Sequence, residues 1–89
     1  MIRTELPVIN RLGLHARAAT KLAQLAGRYA SSIRCGKQEP LVDAKSVMSL
    51  MLLAASQHSM LIFEIDGEDE QQASEAITEL LADFFGEGG

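Results

Sequence analysis

Apolar and polar residues alternate from the second position onward. Ile2, Leu6 and Val8 fall on one face and Arg3, Glu5 and Pro7 on the other, which predicts a half-buried strand over 2–9. Pro7 has no N–H for a ladder, so that strand belongs at a sheet edge or bonds on one side only at that point. After a turn at Asn10–Gly13 the period changes. From about Ala16, Leu22, Leu25, Ala26 and Tyr29 recur at helical spacing, with Arg17, Lys21, Gln24 and Arg28 on the opposite face. Gly27 weakens this helix near its end.

The next stretch, "SSIRCGKQEPLVDA", reads as a hairpin. Ile33 and Cys35 share a face, Gly36–Pro40 makes the turn and Leu41–Ala44 is a short second strand. In "KSVMSLMLLAAS" the residues Val47, Leu50, Met51 and Ala54 form a core stripe, while Met48, Leu52 and Ala55 form a second apolar stripe. A short helix that is apolar on two sides is either fully buried or leaves a patch for a partner. So small a chain favours the patch. Ser46, just before the first apolar residue, suits the N-cap.

Met60–Asp66 is an apolar strand with Leu61, Phe63 and Ile65 on one face. "DGEDE" turns the chain, and Glu68–Glu70 suit a helix N-terminus. Ala73, Ala76, Ile77, Leu80, Leu81 and Phe84 then repeat with a helical period up to Gly86, which ends the helix and leaves "EGG" as a frayed tail. The order β-α-β-β-α-β-α in so short a chain predicts an α+β open-faced sandwich, with a four-stranded antiparallel sheet and all three helices on one face.

Composition narrows the function. Eighty-nine residues make one domain, spanning 1–89, and leave little room for a deep cleft. A net charge of −4, with no tryptophan, argues against nucleic-acid binding. The single cysteine, Cys35, reads as a small apolar strand residue, and no metal cluster or cofactor motif stands out. The N-terminus "MIRTELPVINR" has no signal-peptide core, and the apolar run Leu50–Ala55 is too short to span a bilayer. The expectation is a cytoplasmic protein with no membrane insertion.

The candidate chemistry lies in "NRLGLHARAATKL", where a glycine-containing loop runs into a helix. His15 falls where the first, unpaired N–H groups of that helix converge, beside the positive end of its dipole. Such a place binds phosphate readily, and the Arg17 guanidinium matches phosphate oxygens. A neutral imidazole attacking a phosphoryl group there would find its product already solvated by the protein. That product is a labile phosphoramidate. On spacing alone, a helix-entry histidine with no role and a surface arginine is the better-supported reading, because a neighbouring His and Arg at a helix start is a weak motif.

"GLHARAATKL" resembles the active-site motif of the HPr family, the histidine phosphocarriers of the phosphoenolpyruvate-dependent phosphotransferase system. "AKSVMSLMLLAAS" resembles the family's second signature, and the similarity continues through "IDGEDEQQASEAI" over nearly the whole chain. The family fold, a four-stranded antiparallel sheet under three helices, agrees with the pattern above. The resemblance implies that His15 accepts a phosphoryl group on Nδ1 from enzyme I, with Arg17 and the backbone amides of Ala16 and Arg17 holding it. The group then passes to an EIIA-type protein. Val47, Met48, Met51 and Leu52, with Thr20 and Lys21 nearby, would dock both partners, and a carrier that docks them in turn through one patch is expected to be a monomer. Ser46 matches the serine phosphorylated by HPr kinase/phosphorylase in many bacteria; a phosphate there would add negative charge beside the patch. As read from the residues alone, Ser46 is an N-cap and nothing more.

Ala18 stands where the family usually has proline, and it predicts a slightly less fixed helix start. Gln24, Gly27 and Ser49 stand where sugar-transport members often carry lysine, so a nitrogen-type (NPr) regulatory relay is an alternative to sugar uptake. His58, in "SQHS", reads as an exposed turn residue tolerant of a left-handed backbone. From a different class, a small acylphosphatase-like enzyme would also hold phosphate with a loop and an arginine, but it leaves "AKSVMSLM" unexplained.

Overall fold

The computed structural model describes residues 1–86. In chain order the elements are β1 (Ile2–Pro7), α1 (Ala16–Ala26), β2 (Ser32–Gly36), β3 (Val42–Asp43), α2 (Val47–Leu52), β4 (Met60–Asp66) and α3 (Glu70–Ala82), followed by a short 3-10 turn at Phe84–Gly86. The strands form one antiparallel sheet in the order β1-β4-β2-β3. The α+β open-faced sandwich is therefore as expected, and Pro7 sits on an edge strand, where its missing N–H costs no ladder bond. The proposed tail "EGG" lies outside the described residues.

Period-two alternation places the core. On β4, Leu61, Phe63 and Ile65 are fully buried, and Ile33 and Cys35 of β2 lie on the same face. Burial pushes the Cys35 thiol up to about 12, so it packs as an apolar residue and not as a nucleophile. The helices cover this face. α1 buries Ala18, Ala19, Leu22, Ala23 and Ala26, while Leu25 and Tyr29 are only half-buried against the core. The true core stripe is therefore mostly alanine, rotated from the larger residues, because small side chains let the helix approach the sheet closely. On the far face of the sheet, Arg3 bridges Glu64 and, at 3.2 Å, Glu39 of the β2–β3 turn.

Three expectations need correction. In α2 only Leu50 is buried; Met51 and Ala54 are exposed, and Ala55 is the buried one. The helix stops at Leu52 and Ala54 turns left-handed (φ 52°), so helical spacing does not extend to 54 and 55. Likewise Phe85, not Phe84, fills the core, because α3 ends at Ala82 and both phenylalanines take positive φ. The edge strands are also shorter than expected. β1 stops at Pro7, although Val8 stays buried, and β3 contains only Val42 and Asp43.

Asp69 stands at the N-cap of α3 but does not cap it. Its carboxylate instead accepts from the Ser31 hydroxyl and from the N–H groups of Ala30 (2.8 Å) and Ser31 (2.9 Å), tying α3 to the entry of β2. The Ser31 hydroxyl and then the backbone donors hold the Asp69 carboxyl below its ordinary value. Glu70 shifts the same way, chiefly through the Gly67 N–H. A carboxylate depressed in the folded state stabilises above its unfolded pKa, and that contribution is lost as pH falls through the folded one. The urea midpoint is thus expected to be level from pH 7 to about pH 4 and to fall below that. Asp69→Ala should lower the neutral-pH midpoint and flatten the acid decline; an unchanged acid decline would contradict this role.

Candidate functional site

His15 is the N-cap of α1, with extended backbone (φ −79°, ψ −179°). Its carbonyl accepts the first intrahelical bond, from Ala19 N–H at 2.8 Å, so the N–H groups of Ala16, Arg17 and Ala18 precede the helix ladder. The Arg17 N–H donates to His15 Nδ1 at 3.3 Å. A ring nitrogen that accepts carries its lone pair there, which places the ring proton on Nε2. The contact is longer than the usual N–H···O bond of about 2.9–3.0 Å, so little is lost when another acceptor takes its place. The half-exposed ring thus presents Nδ1 at a helix N-terminus. The Arg17 side chain is exposed and makes no ion pair among the described residues.

A run of backbone bonds holds the loop before this helix. Val8 N–H donates to Ser59 O (2.8 Å) and His58 N–H to Val8 O (2.7 Å), while the Gln57 side chain donates to Ile9 O (3.1 Å). Leu14 N–H then donates to Ala55 O at 2.8 Å, fastening the residue before His15 to the chain just beyond α2. Gly13 is required here on two grounds: its φ is +68°, and a Cβ would lie 2.4 Å from Ala55 O. His58 has φ 78° and is exposed, as expected of a left-handed turn residue.

That seam brings α2 beside the histidine loop. Met48 and Leu52 are 72% and 80% exposed and Met51 is exposed beside them. Val47, expected in the patch, is half-buried and packs against the core. Leu12, which sequence reasoning left unassigned, is also 69% exposed in the loop three residues before His15. Thr20 and Lys21 lie on α1, both half-buried, and the Thr20 hydroxyl donates to Ala16 O (2.8 Å). Ser46 caps α2, its Oγ accepting from Ser49 N–H at 3.2 Å. Ala18, at the proline position, is fully buried under the helix start. From Arg11 to Arg28 the chain carries four cations and no carboxylate, whereas Glu64 to Asp83 holds eight of the twelve carboxylates and no cation. The segment that carries His15 is therefore basic within an acidic protein.

Residues 2–83 match the family model described as the PTS HPr component phosphorylation site. The chain belongs to the HPr family. It is 48% identical over 88 residues to the phosphocarrier protein HPr of Cupriavidus necator, covering 99% of each chain. Among solved structures, HPr-C-His from Thermoanaerobacter tengcongensis superposes with a TM-score of 0.92 at 36% identity, covering 98% of each chain. An HPr dimer from the same organism matches at a TM-score of 0.77 and 36% identity, over 98% of this chain and all of that one. HPr proteins are phosphocarriers of the phosphotransferase system. Among the described residues no helix is long and apolar enough to cross a membrane, and no three His, Cys, Asp or Glu side chains gather as metal ligands.

Gly13→Ala is expected to lower stability by about 1–3 kcal/mol in urea denaturation, the range for a strained left-handed residue. A change under 0.5 kcal/mol would mean that the Gly13–Ala55 approach is soft.

Proposed function

We propose that His15 is the phosphoryl acceptor, taking the group on Nδ1 from enzyme I and passing it to an EIIA-type protein. The observation that carries this is the Nδ1 lone pair directed at the Arg17 N–H on the helix start. The lone pair attacks phosphorus, a P–N bond forms, and the bond to the donor's leaving atom breaks with its electrons staying on the donor. Nε2 keeps its proton. The N–H groups of Ala16 and Arg17 and the Arg17 guanidinium, which makes no ion pair among the described residues, then meet the phosphoryl oxygens.

Docking rests on Met48, Met51 and Leu52, with Leu12 at the edge and Val47 supporting from beneath. Arg11, Arg17 and Lys21 steer an acidic partner towards that surface, an effect that salt weakens. A monomer leaves the surface open to each partner in turn, and size-exclusion with light scattering reads that state. A phosphate on half-exposed Ser46 would place negative charge at the same surface without disturbing the cap. Whether the recipient serves sugar uptake or a nitrogen-type relay depends on which EIIA discharges the protein, and a panel of purified EIIA proteins decides it.

Incubation with enzyme I and phosphoenolpyruvate is expected to add one phosphoryl group by intact mass, labile in acid, stable in base and absent from His15→Ala. A base-labile group, or transfer to His15→Ala, would sink the reading. Leu52→Glu should raise KM for enzyme I about tenfold, some 1.4 kcal/mol, with stability within about 0.5 kcal/mol of wild type. Ser46→Asp should act in the same direction. An unchanged KM in Leu52→Glu would remove α2 from the docking surface.

A further inference from the structure

Two polar residues are buried among the described residues, Asn10 and Ser31. Ser31 belongs to the Asp69 lock. Asn10, fully buried, lies in the surface loop that leads to His15, where a solvated residue would ordinarily stand. An amide taken out of water is costly unless it is hydrogen-bonded. Here the Asn10 Nδ2 donates to Gly13 O at 2.7 Å, and the Gly13 N–H returns to Asn10 O at 3.2 Å.

The Gly13 carbonyl and the Leu14 N–H belong to one planar peptide unit. That unit is held at both ends: Asn10 grips the oxygen, and Ala55 O accepts from the nitrogen at 2.8 Å. Gly13 has no Cβ to keep the Ala55 carbonyl away, and its positive φ turns the plane into this position. Only the Leu14 backbone separates the clamped plane from His15. Fixing the plane fixes where the His15 ring enters the helix start, and so where Nδ1 meets the Arg17 N–H.

We propose that Asn10 is a positioning residue for phosphoryl transfer, acting through the Gly13–Leu14 peptide to hold His15 Nδ1 at the first turn of α1. The inference rests on the reading of His15 as acceptor. Asn10 touches neither the phosphoryl group nor the partner, so its loss should slow the chemical step and leave docking at α2 intact.

The test combines two measurements on Asn10→Ala in the full chain. Amide hydrogen exchange should quicken about tenfold or more at Leu14 and Arg17 while the β4 amides keep their protection. With enzyme I and phosphoenolpyruvate, kcat should fall roughly ten- to a hundredfold with KM unchanged. Asp69→Ala, destabilised at a remote place, should keep kcat and so rule out a general stability effect. Asn10→Asp keeps the shape but replaces the donor with an acceptor; it serves if Asn10→Ala does not fold, with the same expectation. Unchanged exchange at Leu14, or a fall matched by Asp69→Ala, would overturn the proposal. A wild-type protein that accepts no phosphoryl group would overturn the acceptor reading instead, and the exchange result would still decide the clamp.

Discussion

The hydrogen bond from Leu14 N–H to Ala55 O ties the loop before α1 to the chain just after α2, and the site depends on it. Without it, the histidine and the exposed apolar helix would be features of two separate loops. With it, they share one rigid frame: Ala54 turns left-handed, Ala55 O faces inward, and Gly13 gives the space. On the proposed reading a carrier needs this relation, because a partner docked on α2 would have to find the acceptor nitrogen at a fixed place.

On the proposed reading, the frame also lets so small a protein present its acceptor at the surface. The sheet and its alanine-faced α1 form a rigid support, and half-exposed His15, the proposed acceptor, stands at the end of that helix. Helix N–H groups would then supply the anion site that a larger protein builds from enclosed side chains. Charge is divided in the same spirit. Cations flank His15, whereas carboxylates gather on β4 and α3, where Asp69 and Glu70 serve the fold by accepting backbone hydrogen bonds.

Much of this could be read in the sequence, and what could not has a common cause. β4 and α3 each have one strongly apolar face, so period alone located them and most of their core residues. Ser46 showed as a cap because a hydroxyl before an apolar run has few other uses. His15 and Arg17 became a site only through resemblance, since the spacing by itself is common. The seam was hidden because its acceptor is a main-chain carbonyl, and any residue at position 55 would provide one. Asn10 was hidden for a related reason: a polar residue in a turn reads as solvated, and only the fold shows it buried. Met51, Ala54 and Phe84 were misplaced where helical spacing was carried past a helix that had ended or onto one too short to fix a face.

The most direct test of the acceptor assignment is nitrogen-15 NMR of the ring-labelled phosphoprotein, read together with the Arg17 amide. Phosphorus coupled to His15 Nδ1, with the Arg17 amide moving downfield as it takes a phosphoryl oxygen, is the predicted result. Phosphorus on Nε2, or on any residue other than His15, would contradict the account.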